Sequence, residues 1–472
     1  MVEKKAFPLK IGLEIHGYLD TKEKLFCMCK TDFLAPQGVT SDEASVKPNS
    51  LVCPICTGQP GSKPMLPNES AMDKLLEIAL IMGCKINHDK DLIWQRKHYN
   101  WADLPKGYQN TISGAYSIPV AVNGKFEGIR ITECHLEEDP AQWNPETGGI
   151  NYNRSGLPLV EIVTEPDFSS SEQVVNWLRT VVHSLSYIKA LRKNGGIKVD
   201  VNVSTYGERV EMKNLNSLEK IRKAIDYEIS RQLENYEKGI EQKRDTLAFD
   251  EKSGKTIKMR SKEGAADYRF IPDPDLPVIK LDLKKIKQLE RDLPEMPSAK
   301  LEKLLKKYKL EKSDAETLIK NLELVDFAEG LDKAGVKVKE NISWITIELL
   351  RVLNYNKKTL EDADVEILPE HLAELISLVD KGELTVLKAK QIMNDFVPKS
   401  FSVKEKMKDS LGKLSDEETK KLVEQAIKEN PKVWEEFKSG KKESLNFLIG
   451  CVMKLSNRRA DFGKVREVLG GK

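Results

Sequence analysis

Charged side chains interrupt the most apolar segments of this chain, and they do so at strand spacing. Glu14 and His16 lie within Ile11-Gly12-Leu13-Glu14-Ile15-His16, and Glu161 within Leu157-Pro158-Leu159-Val160-Glu161-Ile162-Val163. Three acids follow a histidine in His135-Leu136-Glu137-Glu138-Asp139. A carboxylate in a segment that otherwise goes to the interior costs several kcal/mol unless a cation or hydrogen bonds compensate it. Several such acids in one region point to a bound divalent metal, and so to chemistry on phosphate. Glu14 and His16 are two apart, so on a strand they share one face with Tyr18, while Leu13 and Ile15 turn to the core. Glu14 and His16 alone read more readily as the wet side of an edge strand. Glu161, flanked by apolar residues on both sides, tips the reading toward a site. Parity leaves open whether Glu137 or Glu138 joins it.

The periodicity changes along the chain. Up to about residue 290, short apolar runs of strand length alternate irregularly with a few helices, which reads as an α+β fold. Strands are expected over 10–19, 129–136, 159–164, 198–205 and 210–213. Val199, Val201 and Val203 alternate with Asp200 and Asn202, as in a sheet with one wetter face. Helix starts are expected at Asn68, at Ser169 with Glu172, and at Asn216 with Glu219. From about Asp292, past Pro294 and Pro297, Lys, Glu and Leu recur with helical period. Amphipathic helices are expected over 341–353, 369–379 and 386–396, and Pro398 closes that group. A last helical unit starts near Ser402, with a capping box at Ser415 and Glu418 and a further helix after Pro431.

Two cysteine pairs, Cys27-Met28-Cys29 and Cys53-Pro54-Ile55-Cys56, have the spacing of a tetrahedral zinc shell. Such a shell is structural, with no open position for water. Gly58 suits the tight backbone after a zinc knuckle. The plainer alternative is four reduced thiols in a small core. Cys84, Cys134 and Cys451 are expected to be buried small hydrophobes. An odd total of seven cysteines argues against a disulfide framework and makes the cytoplasm the default compartment.

Asp103-Leu104-Pro105-Lys106-Gly107-Tyr108-Gln109 reads as a turn that presents Lys106, a partner for phosphate or carboxylate. Lys213-Asn214-Leu215-Asn216 ends a strand and opens a helix, where backbone amides hold anions. Gly254-Lys255-Thr256 imitates the end of a phosphate-binding loop, but Phe249 stands where that motif needs glycine, and 250–258 reads as a hairpin. Net charge is only +2, so no global field announces a nucleic-acid or membrane partner. The charge is local instead: from Lys441 to Lys472 there are eight Lys/Arg against three Asp/Glu. Lys441, Lys442, Lys454, Arg458 and Arg459 are candidates to grip an RNA backbone, against the plainer reading of a solvated helix face. No apolar run is long enough to span a bilayer, and 1–10 lacks the apolar centre of a secretory signal.

Taken together, these segments resemble one family, the B subunit of the tRNA-dependent amidotransferase (GatB). The resemblance is carried by Ile11 to His16, both cysteine pairs, Asp103 to Gln109, His135 to Asp139, Leu159 to Asp167, Glu211 to Ser217 and Asp267-Tyr268-Arg269. A late match, Asn446 to Gly450 with Val452 to Lys454, extends it to nearly the whole chain. It implies a catalytic cradle over 1–292, a helical domain over 293–400 and a YqeY-like tail that touches tRNA over 401–472. It further implies ATP and Mg2+ as cofactors, and a heterotrimer with an amidase A subunit and a small C subunit. The implied reaction is phosphorylation of the side-chain carboxyl of Asp or Glu on misacylated tRNA(Asn) or tRNA(Gln), then displacement of phosphate by ammonia. Carried over by position, the family's magnesium ligands and catalytic groups fall on Glu14, His16, Glu138 and Glu161. Lys106 and Lys213, read above from their turn and strand-end positions, are expected to meet the nucleotide's phosphates, with Lys106 also among the catalytic groups. Two positions depart from bacterial relatives: Pro140-Ala141 replaces Ala-Gly, and Lys198 puts a point charge where a planar arginine fork is usual. The large inserted domain of the archaeal paralogue is missing after Leu276, which favours the A/B/C complex. The competing reading is a zinc-stabilised, tRNA-binding scaffold without catalysis.

Overall fold

The computed structural model describes residues 9–32, 46–99, 101–192, 197–261, 269–406 and 414–470, apart from the side chains of Asn214, Arg260, Ser261 and Lys442. Asp267, Tyr268 and the Lys442 side chain therefore lie outside the described residues. The chain divides into two units, 1–296 and 297–472.

The first unit is built on β1 (Lys10–Tyr18), β2 (Lys85–Ile86), β3 (Gln95–His98), β4 (Tyr108–Thr111), β5 (Ala121–Phe126), β6 (Ile129–Glu138), β7 (Gln142–Trp143), β8 (Ile150–Asn151), β9 (Pro158–Thr164), β10 (Ile197–Ser204), β11 (Val210–Leu215), β12 (Asp245–Asp250), β13 (Lys255–Ser261) and β14 (Arg269–Pro272). All but β7 and β8 join one 12-stranded sheet in the order β13-β12-β11-β10-β1-β9-β6-β4-β3-β14, with β5 on β6 and β2 on β5. The pairing of β11 with β12 is parallel and the rest is antiparallel, so the sheet is mixed. Its helices are α1 (Glu69–Ile81), α2 (Ser171–Tyr187), α3 (Leu218–Glu237) and α4 (Leu283–Asp292).

Alternation sorts the two faces. Ile11, Leu13 and Ile15 of β1, Val160 and Ile162 of β9, Leu136 and Cys134 of β6, and Val199, Val201 and Val203 of β10 enter one core with α1, α2 and α3. Intervening residues go to the other face. Trp177 of α2 anchors the core: its Nε1 donates to Phe126 O at 2.9 Å, and its ring meets Phe126 and Phe168 edge-on.

Two helix starts lie one residue later than expected. Ser170 caps α2, its Oγ accepting from Gln173 N, while Ser169 N donates to Gln173 Oε1 at 2.9 Å. Ser217 caps α3 through Lys220 N. In both places the true cap is the extended residue whose side chain reaches the amide three on. Asn68 caps α1 as expected, and β12 and β13 form the expected hairpin with Asp250 opposite Lys255. Strand β6 runs past Leu136 to Glu138 because β9 pairs with it to the end, Glu138 opposite Pro158. Cys84 and Cys134 are core residues, whereas Cys451 is only half-buried.

The second unit is helical: α5 (Pro297–Lys307), α6 (Lys312–Leu318), α7 (Leu322–Lys333), α8 (Val338–Ser343), α9 (Leu350–Tyr355), α10 (Pro369–Asp380), α11 (Val386–Met393), α12 (Val403–Lys406), α13 (Asp416–Glu429), α14 (Pro431–Lys438), α15 (Lys442–Leu455) and α16 (Phe462–Val468). The helix expected over 341–353 is interrupted by a π segment, Trp344–Leu349, between α8 and α9. One apolar cluster runs from Leu304 to Val403 and a second from Val423 to Leu469. Among the described residues no helix is long and apolar enough to cross a membrane.

Candidate active site

The sheet face opposite the core of the first unit carries a rung of ionisable residues across β1, β9 and β6. Register puts Glu161 of β9 opposite both His16 of β1 and His135 of β6. Glu161 Oε2 lies 3.4 Å from His16 Nε2 and 3.3 Å from His135 Nε2. His135 also meets Glu137 at 3.7 Å and, through Nδ1, Glu133 at 3.1 Å. Burial opposes charge on all of them, but mutual attraction wins. His16 is pushed up to about 9, burial being outweighed by Glu161, and His135 is raised as well. Despite its burial, Glu161 is held well below the usual carboxylate range by the two imidazoles.

One step along the sheet lies a second acidic group. Glu14 of β1 is opposite Asp200 of β10, and Asn202 of β10 is opposite Glu211 of β11. Ligand oxygens of Glu14, Asp200 and Glu211 all lie within 4.8 Å of one another. Lys213 Nζ neutralises part of this charge, 2.7 Å from Asp200 and 2.9 Å from Glu211. Asn202 Nδ2 donates to Glu14 Oε1 at 3.1 Å. Burial raises the Glu14 pKa, and Glu161 and Glu211 raise it further.

Glu137 and Glu138 divide between the two sides. Ligand atoms of His16, Glu137 and Glu161 come within 4.8 Å of one another. Glu138 instead pairs with Lys106 Nζ at 2.5 Å. The resemblance groups Glu138 with His16 and Glu161; in this structure Glu137 is the acid whose ligand atoms lie beside those two. The cause is strand parity: His135 faces Glu161, so Glu133 and Glu137 share its face and Glu138 takes the other. Lys106 sits at the centre of a turn closed by Gly107 N to Leu104 O, its ammonium over the rings of Tyr108 and Phe26. At the end of the rung, Asp139 Oδ2 accepts from Tyr18 Oη at 3.0 Å and pairs with Arg154 at 2.9 Å. Lys198 Nζ donates to the same Tyr18 oxygen at 3.2 Å.

The four thiols of Cys27, Cys29, Cys53 and Cys56 converge within 4.8 Å. Cys53 and Cys56 Sγ are 3.9 Å apart, close to the edge of a tetrahedron with ~2.3 Å zinc–sulfur bonds. Cys56 is lowered to about 5, first through its hydrogen bond with Cys27, and Lys24 Nζ stands 3.5 Å from its sulfur. The donor set thus fits zinc in number, softness and spacing. The knuckle also touches the acidic site. Gly58 has φ +65°, and a Cβ there would collide with the Pro105 carbonyl and come within 2.9 Å of Lys106 N. Ser155 Oγ donates to Cys56 O at 2.7 Å beside Gly156, which lies against both Cys56 and Glu138.

In the second unit the expected basic residues have these surroundings. Lys441 pairs with Glu436 at 3.0 Å. Lys454 and Arg458 line a groove beside α11, and Arg459 lies within electrostatic range of Glu418.

Residues 9–287 match the GatB/GatE catalytic domain, and residues 326–472 match the GatB domain that accompanies it. The chain belongs to the GatB/GatE family. It is 42% identical over 474 residues to the B subunit of the aspartyl/glutamyl-tRNA(Asn/Gln) amidotransferase of Methanocaldococcus jannaschii, covering 98% of this chain and 97% of that one. The protein of the same name from Methanothermobacter thermautotrophicus is 40% identical over 464 residues, covering 98% and 99%. That from Methanopyrus kandleri is 41% identical over 459 residues, covering 96% of each.

Within this GatB-family sheet, sequence reasoning does not place His135, Asp200 or Glu211 in the site. Asp200 carries a signal, its alternation with valines, but its partners follow only from the order β11-β10-β1.

Proposed function

We propose that this chain is the B component of a tRNA-dependent amidotransferase. It works in the cytoplasm with an amidase A subunit and a small C subunit, and converts Asp or Glu on misacylated tRNA(Asn) or tRNA(Gln) to the amide. The observation that carries the reading is the His16–Glu161–His135 rung with Glu137 and Glu14 beside it, on the sheet face opposite the apolar core.

In this reading residues 1–292 carry the chemistry, 293–400 form a helical domain and 401–472 a tail that holds the tRNA. His16, Glu137 and Glu161 hold Mg2+, with Glu14 alongside; hard oxygens plus one imidazole suit that ion. When bound, it neutralises charge on the ATP phosphates during transfer. Lys106 and Lys213 supply the remaining positive charge toward phosphate, and zinc in the four-thiol knuckle holds the Lys106 turn.

The chemistry needs two displacements. A side-chain carboxylate oxygen of the aminoacyl group attacks the γ-phosphorus of ATP, and ADP leaves. Ammonia from the partner amidase then attacks the carbonyl carbon of the acyl phosphate; inorganic phosphate departs with the electron pair, and the nitrogen loses a proton. A free carboxylate would have to expel oxide, which is why activation comes first. The protein's part is to align the two reactants and shield the acyl phosphate from water.

The test is reconstitution with A and C subunits, misacylated tRNA, ATP and glutamine. Amidated tRNA is expected from the native chain, with losses in Glu137→Gln and Glu161→Gln. A chain that binds tRNA yet shows no ATP hydrolysis stimulated by misacylated tRNA would be a scaffold, and the proposal would fall.

A further inference from the structure

Lys24 is 1% exposed, a depth at which lysine is rarely found unless its charge is answered. Its ammonium makes three hydrogen bonds: to Leu51 O at 3.0 Å, to Tyr152 O at 3.2 Å and to Cys56 Sγ at 3.5 Å. None of these acceptors is a carboxylate, and among the described residues Lys24 forms no salt bridge. Two carbonyl dipoles satisfy N–H groups without cancelling a full charge, and an uncompensated buried cation is strongly destabilising. Of the three acceptors, only the Cys56 sulfur can become an anion.

Zinc makes it one, because zinc binds the thiolate and not the thiol. Four thiolates around one divalent ion leave excess negative charge on the sulfurs, and burial makes that excess costly too. Cys29 and Cys53 are only half-buried, so water answers part of theirs. Cys56 is 2% exposed and depends on protein donors, which are Cys53 N at 3.2 Å and the Lys24 ammonium. A cation and an anion that would each be costly alone therefore offset one another. Lys24 also reaches every part of the knuckle. Its backbone N donates to Cys29 O at 3.1 Å, closing the turn that carries Cys27 and Cys29. Its side chain ties the second cysteine segment, through Leu51 and Cys56, to Tyr152. A compact ammonium with three donors matches three acceptors from separate segments.

We infer that Lys24 is a positioning residue for zinc: its ammonium offsets the charge of the four-thiolate shell at Cys56 and so sets how tightly the knuckle keeps its metal. The inference rests on the zinc reading above and is independent of the amidation chemistry.

The test is the zinc affinity of the full chain, measured by competition with a chromophoric chelator in the absence of tRNA and ATP. Lys24→Met removes the charge and the hydrogen bonds; Lys24→Gln removes the charge and keeps a donor, which guards against a Met variant that does not fold. Each is expected to weaken zinc binding about 10- to 100-fold, the scale for groups that support a metal's ligands. With Co2+ loaded in place of zinc, the sulfur-to-metal charge-transfer band of Lys24→Gln is expected at longer wavelength than that of the native chain. Loss of the positive charge beside Cys56 raises the energy of its sulfur electrons. A lysine that only braces the loops would leave affinity and band as in the native chain, and that result would overturn the inference. The two claims separate cleanly. If the native chain binds zinc and both variants hold it equally well, only the role of Lys24 fails. If the native chain takes up no zinc, the zinc reading fails and this inference with it.

Discussion

Glu137 and Glu138 are consecutive in β6 and act on opposite sides of it: Glu137 comes within 4.8 Å of His16 and Glu161, while Glu138 grips Lys106 at 2.5 Å. The two acids therefore separate experimentally. Glu137→Gln is expected to raise the Mg2+ concentration for half-maximal amidation by roughly 10- to 100-fold, the scale seen when groups around a metal are removed. Glu138→Gln is expected to leave that midpoint unchanged and lower the rate by freeing Lys106. A Mg2+ titration of both variants decides; equal midpoints would refute the division.

Gly58 couples the knuckle to the Lys106 turn, because no side chain fits between it and Pro105. Gly58→Ala is expected to keep full zinc, by metal analysis, while cutting ATP-dependent amidation. Cys56→Ser is expected to lose both. An active Gly58→Ala protein would show that the turn does not depend on the knuckle.

Glu348 lies in the π segment, 2.5 Å from Lys390 and 2.9 Å from Arg351. Burial raises its pKa, but the two cations outweigh burial and hold it below the ordinary carboxyl value. A depressed folded pKa means stability that is complete above the unfolded value and is lost as pH falls through the folded one. On acidification from about pH 5 to pH 3, the native chain is therefore expected to lose melting temperature more steeply than Glu348→Gln. Parallel pH dependences would remove the pair from the stability of this region.

Trp177→Ala removes a buried ring, its contacts with Phe126 and Phe168, and the hydrogen bond to Phe126 O. A loss of about 3–5 kcal/mol is expected in denaturant unfolding. A loss below about 1 kcal/mol would mean that α2 is not held by this contact.

The local parts of the site are legible in the sequence because they are local. Val199 to Val203 alternate in sequence as they do in the sheet, and the Pro105–Gly107 bracket forms the turn that its residues imply. The caps of α2 and α3 fall one residue past their expected positions because adjacent polar residues compete and only backbone conformation chooses between them. The π segment leaves no periodic trace in a helix already long enough to read.

What the sequence alone determined was therefore which side chains share a face of one strand, which thiols are paired and which loop presents Lys106. Only the tertiary structure decided which strands are neighbours. It took the order β10-β1-β9-β6 to set Glu161 between His16 and His135, and Glu14 against Asp200. The reason is physical: side-chain alternation is set by the backbone of one strand, whereas strand order and register follow from pairings between segments far apart in the chain, and a shift of one residue would turn Glu14, Glu137 and Glu161 toward the core.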